Sequence, residues 1–137
     1  MKYLLDTNTC IALLRDSSAN VARRFQIAIA HDNTVAISSL VACELWYGVY
    51  KSARHEENSG ILLRFLRGPI QVIRFDEEDA RSAGGIRAEL ARAGRTIGSY
   101  DALIAGQCLC KNLTVVTSNL AEFRRVKGLH SEDWATA

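Results

Sequence analysis

The chain has 137 residues, 48% of them hydrophobic and 23% charged, with a formal net charge of +2. That is the size and balance of one globular domain with a full core, and it excludes a disordered or low-complexity chain. The longest apolar runs, such as Leu40 to Cys43, fall far short of the ~20 residues of a membrane helix, and Asp6 interrupts the N-terminus before any leader-like apolar stretch; a cytoplasmic protein is expected.

The elements follow in chain order. Lys2-Tyr3-Leu4-Leu5 is a short apolar run with β character and predicts a buried strand. Thr7 to Arg15 begins a helix, and Ala19 to His31 is amphipathic, with Val21, Phe25, Ala28 and Ile29 spaced by about one turn. Thr34 to Ser38 is a second strand. Ser39 is the expected cap of a helix through Leu40, Cys43, Glu44, Tyr47 and Val49. Glu56 to Arg67 is another helix, closed by Gly68-Pro69, and Ile70 to Phe75 is a third strand. Asp76 caps a long helix over Glu77 to Ala93, stopped by Gly94. Ser99 is the expected cap of the next, Tyr100 to Lys111, which Asn112 ends before a fourth strand, Leu113 to Thr117. Leu120 to Arg125 is a helical turn, and the tail from Gly128 to Trp134 has room for a short fifth strand.

Strands alternating with helices imply an α/β fold, a parallel sheet covered on both faces, as one domain over residues 1–137. Ligands of such sheets bind beyond the C-terminal strand ends. Asp6 closes the first strand, Glu44 lies two turns past the second, Asp101 opens the helix before the fourth, and Asn119 follows the fourth, so all four are expected at one rim. Glu44 and Asp101 each interrupt an apolar run, where a carboxylate is costly unless paired or metal-bound. Carboxylates brought together repel, and a divalent cation relieves them; an all-oxygen set favours magnesium or manganese over zinc. Taken singly, Asp6 and Asp101 also read as helix-end charges and Glu44 as an exposed helix-edge residue.

Other constellations are absent. Cys10, Cys43, Cys108 and Cys110 sit among apolar residues and read as small core side chains, and Cys108-x-Cys110 is too short for a zinc pair. His31, His55 and His130 are isolated, and neither a Gly-x-Ser-x-Gly elbow nor a phosphate-binding Gly-Lys-Ser/Thr loop occurs. Asn8, where an aspartyl phosphatase carries its second Asp, argues against that class, and a receiver domain lacks its paired acids and late Lys. A phosphate-accepting or non-catalytic binding module using the same acids is the alternative class. Arg92, Arg95 and Arg124 are candidates for holding a phosphate backbone.

Leu5-Asp6-Thr7-Asn8, Glu44-Leu45 with Tyr47-Gly48, Ile97-Gly98-x-Tyr100-Asp101 with Leu103-Ile104-Ala105, and Val116-Thr117-x-Asn119 with Glu122-Phe123 resemble the motifs of PIN-domain nucleases, most of all the VapC-type toxins of toxin–antitoxin pairs. Gly128-Leu129 and Glu132-Asp133-Trp134 fit that subgroup, and the resemblance spans essentially the whole chain. It implies a three-layer α/β/α sandwich, magnesium- or manganese-dependent RNA cleavage with transfer RNA among the targets, a homodimer, and a cognate antitoxin that obstructs the site in a larger assembly. By motif position Asp6, Glu44 and Asp101 correspond to the three main acids, with Asn119 where many relatives carry a fourth. Ser99 stands where close relatives usually have Pro.

Overall fold

The computed structural model describes residues 1–136. Five strands form one sheet in the order β3-β2-β1-β4-β5, every neighbouring pair parallel. They are β1 (Lys2–Leu5), β2 (Thr34–Ser38), β3 (Gln71–Ile73), β4 (Thr114–Val116) and β5 (Ser131–Glu132). The central strands are buried on both faces: Leu4, Leu5, Ala36, Ile37, Val115 and Val116 have no exposed surface. Their apolar runs are therefore nearly continuous, as in covered parallel sheets. Leu4 is the centre of the register, aligned with Ala36 on one side and Val115 on the other.

Among the described residues seven helices connect the strands: α1 (Thr7–Arg15), α2 (Ala19–Ala30), α3 (Ser39–Lys51), α4 (His55–Leu66), α5 (Glu77–Arg92), α6 (Ser99–Lys111) and α7 (Leu120–Phe123). From β1 the chain steps outward to β2 and β3, then returns across β1 to β4. Right-handed crossovers in opposite directions place α1–α4 on one face and α5–α6 on the other. The result is the expected three-layer sandwich, and the reversal of direction opens a crevice between the C-terminal ends of β1 and β4.

In the second layer α5 and α6 pack closely. Gly106 of α6 lies against Ala83 of α5, where an added Cβ would fall 2.6 Å from the Ala83 backbone. Buried Gln107 fixes α6 to the end of β3, its Nε2 donating to the Arg74 carbonyl at 3.2 Å. The start of α5 is built as expected: Asp76 accepts from the Asp79 N–H at 3.0 Å while Asp79 accepts from the Asp76 N–H at 2.9 Å. Lys111 Nζ then joins both carboxylates, at 2.9 and 2.8 Å.

Some expectations are corrected. Ser38, not Ser39, caps α3, accepting from the Leu40 N–H, because the Ser39 hydroxyl is taken by the Phe75 N–H at 3.1 Å. Gly98, not Ser99, is the cap residue of α6, so that end has no side-chain cap of its own. β3 pairs over three residues rather than six, as an edge strand with neighbours on one side only. Cys10 and Cys108 are buried core residues, whereas Cys43 and Cys110 face outward. Among the described residues no helix is long and apolar enough to cross a membrane.

Candidate active site

Asp6 is placed by the last step of β1. Its N–H donates to the Val116 carbonyl at 3.0 Å, which carries the sheet one residue past the strand. The carboxylate then turns back as the cap of α1, Oδ1 accepting from the Thr9 N–H at 2.9 Å. Thr9 locks this arrangement by donating its hydroxyl to the same Val116 carbonyl at 3.2 Å. The helix-cap reading of Asp6 is therefore borne out, and the cap uses only one of its two oxygens.

Across the crevice, Asp101 stands half-buried in the first turn of α6. Asn119 follows β4, its backbone held by the Thr117 hydroxyl at 2.9 Å. Its amide donates to Asp101 Oδ2 at 3.2 Å and to Glu122 Oε2 at 2.8 Å. Glu122, on the four-residue α7, thus faces Asp101 directly. The pair divides its charge unequally. Burial, then the adjoining Glu122 carboxylate, pushes Asp101 up to about 6, with Asp6 adding to the effect. The Asp101 and Asn119 contacts draw Glu122 down. Tyr100 is pushed up to about 12, chiefly by burial and further by the charges of Glu44 and Asp6; its hydroxyl lies 3.3 Å from that of Thr7.

Three of the four expected residues, Asp6, Asp101 and Asn119, thus line the crevice, and Glu44 is close enough for its charge to act on the same Tyr100 hydroxyl. The setting of Glu44 differs from the sequence reading. It is exposed, because Val41, Leu45 and Val49 take the buried face of α3 and leave Glu44 on its edge. There it lines a groove formed with Ile11, Leu14, Leu45, Ile61 and Leu62. Sequence alone offers Glu122 only within the Glu122-Phe123 motif and not as a site residue. Its signal was available: it lies three residues past Asn119, on the same face of a helical turn that buried Phe123 pins to the core.

The donor set consists of four carboxylates and one amide, all hard oxygen ligands suited to magnesium, manganese or calcium rather than zinc. Among the described residues no three of the acidic side chains stand together at ligand distance as they are, so holding an ion requires side-chain rotation. The elevated Asp101 is the feature that fits a cation. Two carboxylates facing each other in a half-buried site are the arrangement a divalent ion neutralises.

Comparison with known proteins gives the family. The model of the PIN domain matches residues 3–129, and the chain belongs to that family. Among its relatives is the tRNA(fMet)-specific endonuclease VapC of Shigella flexneri, 41% identical over 98% of this chain and 99% of the relative. Ribonuclease VapC2 of Rickettsia felis is 38% identical over 98% of both. In solved structures, VapBC2 of Rickettsia felis bound to a promoter DNA fragment matches with a TM-score of 0.89 and 37% identity, covering 98% of this chain and 99% of that one. DNA-bound VapBC of Salmonella typhimurium matches with a TM-score of 0.88, 40% identity and 98% coverage of both.

Proposed function

We propose that this protein is a metal-dependent endoribonuclease, the toxin of a toxin–antitoxin pair, which hydrolyses phosphodiester bonds in RNA and is inhibited by a cognate antitoxin. The observation that carries the reading is the acidic crevice itself: Asp6, Asp101, Asn119 and Glu122 line the switch point between β1 and β4, where Asn119 bridges Asp101 and Glu122 and the Asp101 carboxyl is pushed up to about 6. The identity to tRNA(fMet)-specific and other VapC ribonucleases supports the reaction and makes transfer RNA the substrate to test first.

In this reading Asp6 and Asp101 hold magnesium or manganese, with Glu44 completing the set. The bound ion would supply Lewis-acid stabilisation of phosphate charge and a more acidic water. Asp6 presents the oxygen its helix cap leaves free, and Asn119 orients the Asp101 carboxylate through its amide. Glu44, exposed on the edge of α3, accepts the proton of the attacking water. Arg92 at the end of α5, Arg95 in the connection to α6 and Arg124 at the end of α7 are exposed, and in this reading hold the RNA backbone.

The antitoxin belongs to the same reading. The largely apolar groove between α1, α3 and α4 has Glu44 in its lining, so a segment laid in it would contact one of the acids assigned to the site. Assembly as a homodimer completes the expectation and is read by sedimentation. The test is cleavage of total bacterial RNA by purified, antitoxin-free protein with magnesium or manganese, then with excess EDTA. Discrete fragments lost with EDTA support the proposal; undiminished cleavage in EDTA, or no cleavage by folded protein, overturns it.

A further inference from the structure

The N-terminus of α6 carries Asp101 yet has no side-chain cap, and the 93–98 connection before it has no regular structure. Such a segment would ordinarily leave the first turn free to fray. Here it is gripped from outside. Arg125, half-buried just past α7, donates from its guanidinium to the Thr96 carbonyl at 2.8 Å. Glu122 faces the Gly98 N–H and lies within the field of Arg125. Asn119 reaches Asp101 itself. Four residues of helix cannot hold this position alone; Phe123, wholly buried, and Val126, nearly so, nail the segment to the core. The polar side of the same segment then works as a clamp.

We propose that Arg125 is a positioning residue of the acidic site: by pinning the Thr96 carbonyl it fixes the 93–98 connection and thereby the place of Asp101 opposite Asp6. This rests on the reading of the crevice as a metal site. Arg125 touches none of the reacting groups; it acts through the backbone that leads to Asp101. A charged donor to a carbonyl is stronger than a neutral one, and the planar fork holds its direction. Lysine supplies the charge without the fork.

Two readouts test this on the full chain: manganese affinity by titration calorimetry, and the rate of trypsin cleavage after Arg95, inside the pinned connection. Arg125→Met is expected to weaken manganese binding about tenfold and to speed the Arg95 cut about tenfold, with the melting transition retained. Arg125→Lys is expected to recover part of both and also serves if the methionine variant does not fold. Unchanged manganese affinity in the folded variants overturns the proposal, whether the cut is faster or not; RNA binding weakened at unchanged manganese affinity makes Arg125 a phosphate contact instead. Asp6→Asn alongside separates the two levels. If wild type and Asp6→Asn bind manganese equally, or neither binds, the metal reading fails and the positioning role with it.

Discussion

Replacing Gly106 by Ala adds one methyl group where α5 and α6 cross. The new Cβ would lie 2.6 Å from the N, Cα and Cβ of Ala83, against the ~3.5–4.0 Å of ordinary carbon contact. The opposing atoms are mostly backbone, so no rotamer change relieves the overlap, and the helices must part by about 1 Å. Overpacking of this kind costs about 1–3 kcal/mol, and backbone contacts put it at the upper end. Ala gains back about 1 kcal/mol over Gly in a helix interior, leaving a net loss of about 2 kcal/mol. The same substitution at Gly84, exposed in α5 with nothing within 4 Å, has only the gain. Thermal melts at one protein concentration should show Gly106→Ala lower by about 8 °C and Gly84→Ala higher by about 4 °C, at ~4 °C per kcal/mol for this size. Because α6 carries Asp101, the first variant should also lose ribonuclease activity beyond its loss of stability. Equal or same-signed shifts in the two variants would refute the account of the helix contact.

Lys111→Met strands the fully buried Asp79 carboxylate without its cation. Breaking such a pair costs about 3 kcal/mol, read from urea unfolding. The same contact sets an acid limit. Lys111 holds Asp76 below its ordinary range, so its contribution is complete above the unfolded value of about 3.9 and is lost as pH falls through the lower folded one. Urea midpoints of the wild type should therefore fall below about pH 4, and less steeply in Lys111→Met. Phe123→Ala removes the anchor of α7 and should cost ~3–5 kcal/mol by the same measurement, with loss of cleavage in whatever fraction stays folded.

The strands at the centre of the sheet were legible because parallel strands covered on both faces need continuous apolar runs, which β1, β2 and β4 have. The three crevice residues at strand and helix ends were legible for a related reason: the alternation of elements fixes which end of the sheet each faces. What sequence alone misplaced depends on neighbours distant in the chain. Ser39 would be a good cap had the Phe75 N–H not claimed its hydroxyl from 36 residues away. The run from Leu40 to Trp46 gave Glu44 an apolar setting, but a helix buries one face; Val41 and Leu45 took it, and Cys43 and Glu44 turned outward. Glu122 and Arg125 acquire their meaning only when α7 folds against the 93–98 connection, a contact that no spacing within either segment encodes.

The most direct test of the acidic crevice is single-turnover cleavage of transfer RNA by Asp6→Asn. Asparagine caps a helix as well as aspartate, so the substitution removes the charge and keeps the fold. The account predicts an unchanged melting temperature with cleavage reduced by at least about three orders of magnitude, as removal of a central catalytic group commonly does. Cleavage near the wild-type rate by this folded variant would contradict it and remove Asp6 from the chemistry.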